Sequence, residues 1–256
     1  MTFPTLEKSM QWDSALYDTQ HDFVAEYGKG LLECIAPDAS QSILDLGCGT
    51  GTLTDQLAAR AGSVVGIDAS PEMIGRAKQR FPHLAFMVGD ALSLPFERQF
   101  DIVFSNAVFH WIPDHDRLLK RIRRALKAQG RLICEFGARG NVATIEEAFS
   151  RACGEHGYAY TGRFTFPTAE TFASLLVDNR FTCEQAVAYD RPTPLRGGEQ
   201  GLRNWMRQFF AADLGTMPER RQEALLERVE ELTRPRLWNG SVWMADYRRL
   251  RVVARS

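Results

Sequence analysis

The segment from Ile43 to Gly51, with the sequence ILDLGCGTG, constrains the fold more than any other part of the chain. A short apolar run enters a loop with glycine at every second position, and a helix-favouring stretch follows. Glycine adopts positive φ angles freely, and the amides of such a loop point at a polar or anionic ligand. The segment therefore predicts a strand, a ligand-binding loop and a helix.

Apolar runs alternate with amphipathic stretches around this loop, a pattern typical of βα units. Parallel strands need helical crossovers between them. The predicted fold class is α/β, with a doubly wound, mostly parallel seven-stranded sheet. We predict strands at residues 42–46, 63–67, 84–88, 100–105, 130–136, 183–189 and 243–253. We predict helices at residues 53–61, 71–80, 114–126, 141–156, 168–178, 199–212 and 218–233.

The organisation predicted from these elements has three parts. Apolar residues spaced by four before the first strand indicate an N-terminal helical lid. Prolines and glycines after the sixth strand, followed by two amphipathic segments, indicate a helical insertion that covers the substrate. The lid is placed at 1–36, the core at 37–190 and 241–256, and the insertion at 191–240.

Charge and cysteine content limit the partners. Lys and Arg total 31 against 32 for Asp and Glu, so the chain lacks the positive field that holds nucleic acid. No apolar stretch reaches the roughly 18 residues of a membrane span, which predicts no membrane partner and a cytoplasmic protein. Five separated cysteines without a Cys-x-x-Cys pair predict free thiols and no metal.

Asp68 ends the second predicted strand, where a carboxylate can accept hydrogen bonds from both ribose hydroxyls of a nucleoside. A dinucleotide-dependent oxidoreductase is the competing interpretation. Its Gly-x-Gly-x-x-Gly pattern requires glycine at position 52, where this chain has Thr52. Asp45 precedes the loop glycines and suits the ammonium group of a methionine-like ligand.

Four motifs in order resemble those of the class I methyltransferases. They are the segment from Asp45 to Gly51, the strand ending in Asp68, Gly89-Asp90-Ala91, and the segment from Phe100 to Asn106. Within that class, the sequence from Ser105 to His115 is similar to the trans-aconitate methyltransferase group. The resemblance implies a Rossmann-like methyltransferase fold with S-adenosyl-L-methionine as cofactor.

The resemblance also implies a set of cofactor-binding residues. The loop would line the methionine part, the end of the second strand would hold the ribose, and the turn after the third strand would meet the adenine. The implied residues are Asp45, Gly47, Cys48, Gly49, Asp68, Ala69, Met73, Asp90, Ala91 and Asn106. Alternatively, Asp90 caps a turn and Met73 belongs to the core.

The reaction implied is methyl transfer to a small-molecule acceptor by in-line displacement. An ionised carboxylate would need no general base, whereas a hydroxyl or amine would use one. We expect Tyr17, His110 and Trp111 at the substrate pocket, with His110 as base, hydrogen-bond donor or helix-start residue. Arg139, Arg163, Arg196 and Arg203 are candidate partners for an acidic substrate.

Two further interpretations stay open at this point. The chain could bind the cofactor as a regulatory protein without catalysis, or it could methylate RNA or protein. Near-neutral net charge argues against RNA. The oligomeric state does not follow from the sequence.

Overall fold

A computed structural model describes residues 30–32, 34–35 and 38–256. Within these residues, seven strands form one sheet in the order β3-β2-β1-β4-β5-β9-β6. The predicted α/β class and seven-stranded sheet are therefore confirmed. The sheet strands are β1 (Ser42–Leu46), β2 (Ser63–Asp68), β3 (Ala85–Val88), β4 (Phe100–Asn106), β5 (Leu126–Gly137), β6 (Thr182–Asp190) and β9 (Arg248–Arg255).

The sheet is parallel from β3 to β5, and β9 pairs antiparallel with both β5 and β6. The order of connection reverses between β1 and β4, which are neighbours in the sheet. Ligands of open α/β folds bind outside the carboxyl ends of the strands at such a reversal. The glycine loop after β1 and the segment after β4 both lie at this edge.

Three of the helices begin at side-chain caps, formed by Ser70, Asp114 and Thr168. Ser70 Oγ accepts a hydrogen bond from the Met73 amide at 3.3 Å, and Asp114 Oδ1 accepts one from the Arg117 amide at 2.9 Å. Such caps satisfy amides that have no partner inside the helix. The helices are α1 (Thr52–Ala58), α2 (Pro71–Arg80), α3 (His115–Ala125), α4 (Ala143–Glu155), α5 (Ala169–Asp178), α6 (Gly201–Phe209), α7 (Ala211–Leu214) and α8 (Glu219–Leu237).

Alternate residues of the central strands belong to two hydrophobic cores, one on each face of the sheet. Leu44 packs with α3 and α5 on one face of the sheet, whereas Ile43 packs with Leu57 of α1 on the other. Because successive side chains of a strand point to opposite faces, this split requires helices on both sides. Both sides of the sheet are covered, as a doubly wound fold requires.

A third apolar cluster lies in the helical part of the chain. It joins α4 and the segment 158–166 with α6, α7 and α8, around the fully buried Phe149 and Phe210. The proposed insertion 191–240 thus shares its core with residues that precede β6. The domain boundaries stay a prediction.

Two predicted elements are divided in the structure. The predicted last strand, 243–253, is two strands, because β8 (Met244–Ala245) pairs with β7 (Thr193–Pro194) before the chain turns into β9. The amide of Val142 donates to the carbonyl of Asp246 at 3.0 Å, and this hydrogen bond holds the segment between β8 and β9 in place. The predicted helix 199–212 is also two helices, because α6 ends at Phe209 and α7 begins at Ala211, on either side of the buried Phe210.

Most of the predicted N-terminal lid, including Trp12, Tyr17 and His21, lies outside the described residues. Leu31 and Ile35, which are described, pack against the sheet. All five cysteines are free thiols, as predicted. In the part of the chain that the structure describes, no helix is long and apolar enough to cross a membrane, and no cluster of His, Cys, Asp and Glu could hold a metal ion.

Candidate functional site

The glycine loop adopts backbone angles that favour glycine at three positions. The φ angles are 77° at Gly47, 55° at Gly49 and 84° at Gly51. A Cβ atom built on Gly47 would lie 2.2 Å from Cγ2 of Val108, whereas one on Gly49 meets nothing within 4 Å. The loop is therefore closely packed on its Val108 side and open at Gly49, where a ligand has room.

Asp68 joins the end of β2 to this loop. Its Oδ2 accepts a hydrogen bond from the Gly49 amide at 3.0 Å, and its Oδ1 accepts one from the Ser70 amide at 2.9 Å. Burial raises the pKa of Asp68, and the two amide hydrogen bonds oppose that rise. Each carboxylate oxygen has a second lone pair, so each of the two oxygens can still accept a hydrogen bond from a hydroxyl group.

Asp45 lies beneath the loop and is almost fully buried. Thr54 Oγ1 of α1 donates to its Oδ2 at 2.7 Å. Burial, with Asp68 nearby, raises the pKa of Asp45 to about 7, although the Thr54 hydrogen bond opposes the rise. A cation bound at the loop would favour the ionised form of this carboxyl group.

The turn after β3 lies beside Asp68, because the Gly89 amide donates to the Asp68 carbonyl at 2.9 Å. Asp90 is exposed and accepts a hydrogen bond from the Leu92 amide at 2.9 Å, so it does cap this turn. Its Oδ2 accepts a long hydrogen bond from Ser93 Oγ at 3.5 Å. Met73 is buried, Ala69 is exposed and Ala91 is half-buried.

A second feature follows β4. A pocket of about 40 Å³ lies between the end of the sheet and the helical part of the chain, and its walls are largely aromatic. The ring centroids of Trp111 and Phe164 are 4.8 Å apart, and those of Trp205 and Phe209 are 4.7 Å apart. The lining residues are Ala107, His110, Trp111, Asn141, Val142, Phe164, Trp205, Phe209, Tyr247 and Arg249.

The glycine loop and this pocket share a wall. Val108 packs on Gly47, while the adjacent Ala107 lines the pocket. Ala107 and Val142 both have positive φ angles, 62° and 49°, which side-chain-bearing residues rarely adopt. Such strained residues cluster at functional sites, where surrounding contacts hold them.

His110 is buried in the pocket wall, and its Nδ1 accepts a hydrogen bond from the Gly137 amide at 3.2 Å. Burial, with Arg249 and His115 adding to the effect, lowers the pKa of His110 well below its usual range, so the ring is neutral near pH 7. A neutral ring whose Nδ1 accepts a hydrogen bond carries its proton on Nε2. His110 therefore has the geometry of a donor.

The structure gathers some of the sequence-derived site residues and separates others. Gly47, Cys48, Gly49 and Asp68 lie together, because the Gly47 and Cys48 amides donate to the Ile67 carbonyl and the Gly49 amide donates to Asp68. Asp90 and Ala91 lie at the turn after β3, and Asn106 ends β4. His110 and Trp111 line the pocket. None of the four candidate arginines lines that pocket; Arg163 pairs with Asp213, and Arg203 pairs with Glu230.

Arg249 is a charged residue of the pocket that sequence reasoning missed. It lies on β9, is 3% exposed, and has its guanidinium carbon 4.5 Å from the ring centroid of Tyr247. The available signal was the spacing of Arg249 and Arg251, two arginines that lie on one side of β9 and flank the buried Leu250.

Comparison with known proteins agrees with these features. A family profile described as a methyltransferase domain matches residues 44–134, from the first strand to β5. A putative methyltransferase from Bacillus halodurans has a similar fold, with a TM-score of 0.63 at 16% identity over 89% of this chain and 97% of that chain. The fold and the loop thus define an α/β protein of the methyltransferase type.

The chain carries a methyltransferase domain at residues 44–134 and is similar over nearly its whole length to proteins named as methyltransferases, which supports a class I S-adenosylmethionine-dependent methyltransferase. It is 28% identical over 254 residues to a trans-aconitate 2-methyltransferase from Enterobacter, covering 95% of this chain and 98% of the relative. It is also 29% identical to an uncharacterized methyltransferase from Schizosaccharomyces pombe, over 95% of this chain and 97% of the relative. With the trans-aconitate 2-methyltransferase of Methylobacterium radiotolerans, the identity is 39% over only 49% of each chain.

Proposed function

We propose that this chain transfers a methyl group from S-adenosylmethionine to a small-molecule acceptor, and that the acceptor group is a carboxylate. The observation that carries the proposal is the shared wall of the glycine loop and the aromatic pocket, with Val108 on Gly47 and Ala107 in the pocket. A cofactor in the loop would lie next to an acceptor in the pocket. The trans-aconitate 2-methyltransferases among the relatives favour a carboxylate.

The described residues fit the cofactor in a specific way. The open side of Gly49 gives it room, with Gly47 and Cys48 beside its methionine part, and Asp45 receives the ammonium group directly or through water. The two oxygens of Asp68 accept the ribose hydroxyls. The remaining contacts are Ala69 at the ribose, Asp90 and Ala91 at the adenine edge, Met73 at its face and Asn106 at the end of β4.

When bound, S-adenosylmethionine supplies an electrophilic methyl group on a sulfonium. The residues of the chain align the acceptor and exclude water, since the apolar rings of Trp111, Phe164 and Phe209 surround the pocket. A carboxylate acceptor loses its negative charge as the sulfonium loses its positive charge, and no proton is released. His110 is not required as a base for that reaction.

The test is transfer of a labelled methyl group from S-adenosylmethionine to matched panels of carboxylic acids, alcohols and amines. We expect esters of one or more carboxylic acids, identified by mass spectrometry, and trans-aconitate belongs in the panel because of the relatives. Cofactor binding is measured separately by calorimetry. Transfer only to amines or alcohols would refute the carboxylate assignment, and absence of cofactor binding would refute the loop assignment.

A further inference from the structure

Arg249 is a buried cation whose pairing is incomplete. Its Nε is buried and has no hydrogen-bond partner among the described residues, and the guanidinium lies over the ring of Tyr247. A cation over an aromatic face is stabilised only modestly, whereas a buried guanidinium with unused donors is costly. Because Arg249 lines the pocket, an anion there could complete its hydrogen bonding.

The neighbouring charges leave an excess of positive charge at this end of the sheet. Glu135, a carboxylate whose charge acts on Arg249, is buried and already pairs with Arg191 at 2.7 Å and with Arg251 at 2.8 Å. Tyr189 also donates to it at 2.5 Å. Arg191 and Arg251 thus both pair with the single negative charge of Glu135. Arg249 adds a third positive charge to the same cluster.

His110 and Arg249 are linked through the sheet. Arg249 is the antiparallel register partner of Gly137, and the Gly137 amide donates to Nδ1 of His110. This hydrogen bond occupies the lone pair that a general base would use and leaves the proton on Nε2. Both residues line the same pocket.

We propose that Arg249 and His110 bind a carboxylate of the acceptor, Arg249 as the cation and His110 as a neutral donor through Nε2–H. This inference rests on the proposed function, because it takes the aromatic pocket as the acceptor site. An Arg fork matches the two oxygens of a carboxylate, and a buried charge-assisted hydrogen bond is strong. With about 40 Å³, the pocket has room for a carboxylate head among its aromatic walls.

The first experiment compares ligands that differ only in charge. Acetate, propionate and butyrate are titrated in the presence of S-adenosylhomocysteine and compared with acetamide, propionamide and butyramide. Fluorescence of Trp111 and Trp205, which line the pocket, reports binding. We expect each acid that binds to do so at least about tenfold more tightly than its amide. Equal affinities for acids and amides would overturn the proposal without any variant.

The second experiment tests the two residues. Arg249→Gln should abolish the preference for acids, and Arg249→Lys should reduce it, because an ammonium lacks the planar fork. The matched control is Arg139→Gln, since Arg139 is exposed and lies outside the pocket lining. Cofactor affinity and thermal stability of each variant report folding. An unchanged acid preference in both Arg249 variants would overturn the assignment.

Substitutions of His110 separate a donor from a base. Gln can donate from a similar position but cannot act as a base, whereas Phe fills the ring volume without a donor. We therefore expect His110→Phe to weaken acid binding by about tenfold, and His110→Gln to keep more of the acid preference and of methyl transfer than His110→Phe does. Loss of methyl transfer in His110→Gln with acid binding intact would instead indicate a base.

The outcomes for the two proposals are distinct. If the unaltered enzyme methylates amines but no acid, the proposed function fails whatever the anion affinity is. If it methylates a carboxylic acid and Arg249→Gln leaves the Michaelis constant for that acid unchanged, the proposed function stands and the inference about Arg249 fails.

Discussion

Val108 occupies the space that a side chain on Gly47 would need, with its Cγ2 2.2 Å from the site of the missing Cβ. This contact holds the segment after β4 against the segment after β1. Because these two strands lie on either side of the point where the strand order reverses, the contact also sets the distance between the glycine loop and the pocket.

Substitution of the loop glycines tests that contact. Gly47→Ala and Gly49→Ala both impose a positive φ angle on a residue with a side chain, but only the first creates an overlap. We expect Gly47→Ala to lower the free energy of unfolding by about 1 to 3 kcal/mol more than Gly49→Ala, measured by urea denaturation. Adding Val108→Ala should recover most of that difference, and equal losses in the two single variants would contradict the packing argument.

Removal of the Asp68 carboxylate should weaken the cofactor complex. Asp68→Ala removes both acceptors offered to the ribose and the hydrogen bond that holds the Gly49 amide. We expect the dissociation constant of S-adenosylmethionine to rise more than tenfold, since charge-assisted hydrogen bonds contribute about 1.5 to 3 kcal/mol. Calorimetry measures it, with the exposed Glu97→Gln as control. Unchanged affinity in a folded Asp68→Ala protein would remove this residue from the site.

The buried carboxyl group of Asp45 predicts how stability depends on pH. Its pKa is about 7 in the folded protein against 3.8 for the ordinary group, so the folded state binds more protons between these values. The free energy of unfolding therefore falls as pH rises through this window, by about 1.4 kcal/mol per pH unit from this group.

Asp45→Asn cannot ionise and can still accept the hydrogen bond from Thr54. Urea unfolding of both proteins at about pH 5 and about pH 8 should show a smaller loss of stability in the variant. Asp68, whose pKa is also raised, is present in both proteins, so the difference between them reports the ionisation of Asp45 together with its charge interaction with Asp68. If the stability of the two proteins depended on pH in the same way, Asp45 would be ionised in the folded protein over the whole range from about pH 5 to about pH 8.

The cluster around Glu135 should be sensitive to loss of its single carboxylate. Glu135→Gln leaves Arg191 and Arg251 without their partner in a largely buried place. Removing one member of a buried ion pair costs about 3 to 5 kcal/mol, so we expect a loss of that order in the free energy of unfolding. Glu97→Gln, at an exposed pair with Arg124, is the matched control and should change stability little. Similar losses in the two variants would contradict the buried pairing.

Local patterns made much of the sheet predictable. The strand before the glycine loop was predicted at the bounds that β1 has, and Ser70 and Asp114 begin helices near the positions their types favour. These elements follow from periodicity and capping, which involve residues close in the chain. The cofactor set was named from the resemblance to the class I methyltransferases, whose motifs are also short stretches of the chain.

The acceptor side could not be predicted in that way, because it depends on contacts between distant residues. His110 and Arg249 share a pocket only because β9 pairs with β5 and places Arg249 opposite Gly137. The division of the predicted last strand likewise depends on pairing between Thr193 and Ala245. Neither relation has a signature within a short window of sequence.

The place of β9 between β5 and β6 has a consequence for the order of folding during synthesis. The ribosome makes β6 well before β9, yet β6 has no neighbour in the sheet until β9 emerges. The half of the sheet that carries the glycine loop can form early, whereas Tyr247 and Arg249 reach the pocket only after β6 and the helices α6 to α8 have been translated. A nascent chain could therefore acquire its donor-binding half before it has any place for the acceptor.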